Sequence, residues 1–201
     1  MKQLCSIAVL AATIAAMALA GFAAPAGAAG GSYVFDGGTA AQQATVRSAL
    51  RASLFPWSIV PRTITIHIVD GGDSYAMPGE VWLDGDLLRA GRFSWGVVQH
   101  EYAHQVDFFL LDRAMRAWLL GELNGKAWCT EVPGLAHGDY GCERFASTLA
   151  WAYWSSSENA MAPSVAGDEA GAVAPARFRA LLAELLGVPQ PVFRVASVVR
   201  R

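Results

Sequence analysis

The chain has 201 residues, of which 54% are hydrophobic and only 16% charged, with a net charge of −2 at pH 7. That length suits one domain with at most a short appendage. The apolar content excludes intrinsic disorder, and the near-neutral charge excludes a strongly basic nucleic-acid binder.

Residues 1–30 carry Lys2 as their only charge, an apolar run from Leu4 to Leu19, and small residues with Ala-x-Ala sites ending at Ala20 and near Ala28–Ala29. This order predicts a cleaved secretory signal peptide followed by one domain over 31–201. As an uncleaved anchor, the Ala-rich run is barely long enough for the roughly 30 Å of a bilayer core. No later run approaches transmembrane length. The mature chain is therefore expected to be secreted or associated with the cell envelope, with no stable membrane association. Nothing in the sequence sets an oligomeric state.

The elements follow in order. Tyr33–Asp36 reads as a short strand, stopped by Gly37–Gly38. Thr39 caps a helix reaching about Leu54, with Val46, Leu50 and Leu54 at helical spacing. In TITIHIVD, Ile64, Ile66 and Ile68 alternate with Thr63, Thr65 and His67. This is a half-buried strand on which His67 faces away from the core and reads as structural. A Gly-rich turn leads to a strand over Glu80–Asp84. Ser94 is expected to cap a helix from Trp95 to about Leu111 that bends into a second one ending near Leu120. Residues 121–141, rich in glycine, form a long loop. Cys142–Trp154 is helical, and Pro175 opens a last helix over 175–186 that Gly187 closes. The tail VFRVASVVRR is a strand or a frayed end. Cys129 and Cys142 are an even pair in an exported chain and are expected to bridge, which contributes about 3 kcal/mol in the chain-entropy model.

The chemistry concentrates in VVQHEYAHQVD, which holds His100-Glu101-Tyr102-Ala103-His104, an H-E-x-x-H inside a predicted helix. Residues i and i+4 share a helix face, so both imidazoles reach one ion. Zinc takes histidine nitrogen at about 2.0–2.1 Å and prefers a tetrahedron. Glu101 projects beside that face, where it can act as general base toward an activated water.

This motif resembles the zinc helix of the zincin metallopeptidases. The resemblance implies an α+β fold: a small twisted sheet packed on the H-E-x-x-H helix across a cleft, followed by a mostly helical C-terminal part. It also implies Zn2+ as cofactor, a peptide or protein substrate, and a third protein ligand. The metzincin continuation fails, because Asp107 stands at its glycine position and Leu110 at its third-histidine position. The gluzincin pattern, with a Glu on a later helix, fits Glu143 in GCERFASTLAWAYW. Asp139 in HGDYG and Asp107 are the rival ligands, Asp107 also fitting an outer partner that orients an imidazole. For the oxyanion, Tyr140 and His137 stand just before Glu143, with Tyr153 a weaker candidate. In zincins an edge strand above the cleft pairs with extended peptide, a role expected here for Val81, Trp82 and Leu83. The expected function is thus a secreted zinc metallopeptidase with Glu101 as base. A binding protein that keeps the zinc site without catalysis is the alternative.

Overall fold

The computed structural model describes residues 31–129, 132–165 and 167–190. Its architecture is α+β, with a small mixed sheet and five α-helices among the described residues. The signal-peptide reading over 1–30 and the strand-or-frayed reading of the tail lie outside those residues. No helix among the described residues is long and apolar enough to cross a membrane.

The sheet contains β1 (Tyr33–Gly37), β2 (Ile64–Val69), β3 (Tyr75–Met77) and β4 (Glu80–Asp84), in the order β1-β2-β4-β3. The first two pairings are parallel and β3 runs antiparallel to β4. Alternation sorts its faces as the sequence predicts. Ile64, Ile66 and Ile68 are buried, as are Val81 and Leu83 beside them. His67 lies on the opposite face, bonded through Nδ1 to Asp36 at 2.8 Å and stacked on Trp82.

The edge-strand expectation requires correction. β4, with Val81, Trp82 and Leu83, is paired on both sides, and the outer strand beyond it is β3. No strand is predicted between the Gly71–Gly72 turn and Glu80, because a three-residue strand among glycines and Pro78 is too short to show alternation. Gly79, at φ +89°, makes the return from β3 to β4. An L side chain rarely adopts that conformation.

Helix α1 (Ala40–Ala52) starts at the Thr39–Gln42 capping box. Gln42 also donates to Asp70 Oδ1 and to the Gly85 carbonyl, tying the helix start to the strand ends. Helix α2 (Phe93–Leu110) carries the H-E-x-x-H motif through the centre of the molecule. Ser94 does not cap it: the helix begins a residue earlier, and the Ser94 hydroxyl donates back to the Gly91 carbonyl. The expected bend after Leu111 is a full break. Asp112 accepts from the Met115 N–H and caps a separate helix α3 (Arg113–Glu122). Helix α4 (Gly141–Tyr153) packs along α2, and α5 (Pro175–Leu186) packs on α4. Pro175 opens α5 and Gly187, left-handed, ends it.

Buried side chains from every layer meet in one core, where Phe55 and Trp57 pack toward Tyr102 of α2 and Phe178 of α5 packs on Phe145 of α4. Gln105, fully buried, fastens the sheet to the motif helix. Its amide donates to the Met77 and Glu80 carbonyls and accepts from the Gly79 N–H at 2.8 Å. The β3–β4 turn is thereby fixed one residue beyond His104 in the chain.

Candidate metal centre

Helical spacing turns His100 and His104 to one side of α2, where both are buried. Glu143 reaches them from the first turn of α4. His100 Nε2 and His104 Nε2 lie 3.3 Å apart, and Glu143 Oε2 lies 3.1 Å from the first and 3.3 Å from the second. These three atoms thus form a nearly equilateral triangle. Corners of a tetrahedron with bonds of about 2.0–2.1 Å are about 3.3–3.4 Å apart. These three side chains therefore form a group that could hold a metal ion.

A cleft of about 210 Å³ opens over the triangle, walled by Ser74, Tyr75 and Ala76 on the β3 side and by Glu101, Phe108 and His137. Glu101 lines it, as its place beside the motif face predicts. Burial raises its carboxyl above the ordinary carboxylate value, against the attraction of His100 and His104. His137, on a short 3-10 turn (His137–Asp139), enters from the other side with Nε2 3.1 Å from Glu143 Oε2.

The electrostatics centre on Glu143. Burial opposes its ionisation, but hydrogen bonds from His100, His104 and His137 hold its carboxyl well below the usual carboxylate range. Burial likewise opposes a charge on His104, and the hydrogen bond to Glu143 reverses that and raises it. His137 is pushed up to about 10, chiefly by the bonds to Glu143 and then to Glu169.

The two rival ligands point elsewhere. Asp139 pairs with Lys126 at 2.8 Å. Asp107, buried, takes Arg116 Nε at 2.7 Å and Trp128 Nε1 at 3.1 Å, so it fastens α3 and the following loop to α2. It makes no hydrogen bond to His104 in the structure. Tyr140 is also engaged away from the triangle: its hydroxyl donates to the Val132 carbonyl and accepts from the Leu135 N–H. Tyr153 is a buried core residue in ring contact with Phe55.

Cys129 and Cys142 are paired, with Cα atoms 5.5 Å apart. The bridge anchors both ends of the loop that carries His137 beside Glu143. With Glu143 the two sulfurs also form a second potential metal group, open only to reduced thiolates.

Two further residues meet the site that the sequence reading did not single out. Ser147 lies one helical turn beyond Glu143 and bonds His100 Nδ1 at 3.0 Å. Glu169 comes from the Ala- and Gly-rich segment and meets His137 Nδ1 at 2.7 Å. Helical spacing from Glu143 was the one available pointer to Ser147, and none existed for Glu169. Comparison of the chain with protein-family models, curated proteins and solved structures returns no match.

Proposed function

We propose that this protein is a gluzincin-like zinc metallopeptidase of the zincin type, with zinc held by His100, His104 and Glu143. The triangle of ligand atoms carries this reading, because its sides match the corner spacing of a zinc tetrahedron. Three protein ligands is the number that a catalytic zinc site uses, and a zinc held by them would have its fourth position for water or substrate.

Bound zinc supplies Lewis-acid polarisation of a carbonyl and lowers the pKa of water toward about 7. The remaining roles belong to the chain. Glu101 accepts a proton from the attacking water as its oxygen bonds to the scissile carbonyl carbon. It then returns that proton to the amine as the C–N bond breaks, so one carboxylate serves both halves of the hydrolysis. His137 directs Nε2 into the same space and donates to the oxyanion that develops on the carbonyl oxygen. β3 borders the cleft as the antiparallel outer strand, so its free edge is where an extended peptide would add. The signal-like leader and the paired cysteines support an exported enzyme.

The test is hydrolysis of a quenched peptide by the zinc-loaded protein and by Glu101→Gln. The variant is expected to keep its zinc and to lose about 10²–10⁴-fold in kcat. A folded, zinc-loaded wild type that cleaves neither casein nor a peptide library would overturn the reading in favour of a binding protein.

A further inference from the structure

We infer that Glu169 is a positioning residue that sets two histidines of the site at once, His137 directly and His100 through Ser147. The inference rests on the zinc peptidase reading and adds a residue to it. Both carboxylate oxygens are engaged. Oε1 accepts from His137 Nδ1 at 2.7 Å, and Oε2 accepts from the Ser147 hydroxyl at 2.8 Å. A hydroxyl has one hydrogen. With that hydrogen on Glu169, Ser147 Oγ must accept from His100 Nδ1–H, 3.0 Å away. His100 Nδ1 then carries the proton, and Nε2 presents its lone pair to the metal position. The ordinary carboxylate–histidine–metal arrangement is thus extended by one hydroxyl.

The surroundings hold this relay in place. His137 is 65% exposed on a short turn, so its direction depends on what grips it. Arg144, buried in α4, donates to the Gly138 carbonyl beside His137 and to the Gly167 carbonyl near Glu169. One guanidinium therefore fixes both loops to the same helix. Thr148 donates to the Glu169 carbonyl. Asp168 accepts from Ser164 and Val165 and folds the loop that delivers Glu169. A Cβ on Gly138 would stand 3.1 Å from Glu169 Cγ, so glycine there leaves room for the carboxylate to reach His137.

The test compares Glu169→Ala, Glu169→Gln, Ser147→Ala and His137→Ala. It uses zinc affinity by chelator competition, a histidine ¹H–¹⁵N spectrum of the metal-free protein, and peptide hydrolysis. Glu169→Ala is expected to weaken zinc about tenfold, to lower kcat about tenfold or more with KM nearly unchanged, and to lose the hydrogen-bonded His137 Nδ1–H resonance. Ser147→Ala should weaken zinc while that resonance stays. His137→Ala should lower kcat without weakening zinc. Glu169→Gln keeps the shape but has one acceptor oxygen for two donors, so at least one of the two arms must fail. Wild-type zinc affinity and an unchanged resonance in both folded Glu169 variants would overturn the inference. If the wild type hydrolyses nothing, the peptidase reading falls separately. Zinc affinity and the resonance then still decide for or against Glu169, and if no zinc binds the resonance alone decides.

Discussion

Glu143 is the residue on which the site turns. A carboxylate among three imidazoles is the arrangement that a cation or several protons must hold together, since two Nε2 atoms 3.3 Å apart have no hydrogen to share when both are neutral lone pairs. Removing it should therefore cost more than removing an outer partner. Glu143→Ala is expected to lose more than the about 10–100-fold in zinc affinity that an outer-partner mutation costs, measured by chelator competition. Glu101→Gln should leave that affinity near wild type while kcat falls about 10²–10⁴-fold, because its carboxylate is outside the metal group. At this scale the motif was fully legible, since i, i+4 spacing is local and needs no tertiary information. Glu143 was legible as one of three acids. What separates it from Asp107 and Asp139 is where packing sends them, and that depends on Arg116, Trp128 and Lys126, which no spacing rule connects to them.

Among elements, α2 bears the greatest structural load. It touches the sheet through Gln105, α1 through the Gln99 bond to the Ala49 carbonyl, and α3 through Asp107. Asp107 shows the physical balance. Burial raises its carboxyl above the usual value, and Arg116 and Trp128 pull it back. Arg116→Ala leaves a buried acid with only Trp128. Because Arg116 is one-third exposed, the expected loss lies at or below the lower end for broken buried pairs, about 2–3 kcal/mol. The sign of its pH dependence follows. With a folded pKa raised further above the unfolded value, the folded variant holds a proton that the unfolded chain has lost. Its deficit against wild type should be largest near pH 7 and shrink as pH falls toward the ordinary carboxylate range, as read by denaturant unfolding across pH. The strands and helices were largely legible by period, and their caps by residue type, Thr39 and Gly187 above all. β3 was not, because three residues give no period and its antiparallel pairing with β4 is a tertiary fact. That omission placed the sheet's outer edge on the wrong strand.

Across the whole molecule, the site joins segments far apart in the chain: β3, α2, the His137 turn, α4 and the Glu169 turn. A ligand that binds several of them only in the folded state must stabilise the fold by mass action. Saturating zinc at about 100 times its Kd should add about 2.7 kcal/mol. For a chain of this length that raises Tm by roughly 5–10 °C over the EDTA-treated protein, measured by differential scanning calorimetry. An unchanged Tm would count against a site spanning these segments. The whole-molecule assembly was the least legible part of the sequence. The Ala- and Gly-rich segment that supplies Glu169 has no periodicity to place it, and a buried arginine, Arg144, fixes where it lands.

The central claim is that His100, His104 and Glu143 hold a zinc ion. Anomalous diffraction at the zinc edge from crystals of the purified protein tests it most directly. The account predicts one peak per chain, about 2.0–2.1 Å from His100 Nε2, His104 Nε2 and a Glu143 oxygen. A peak on Cys129 and Cys142 instead, or no peak from zinc-supplemented protein, would contradict it.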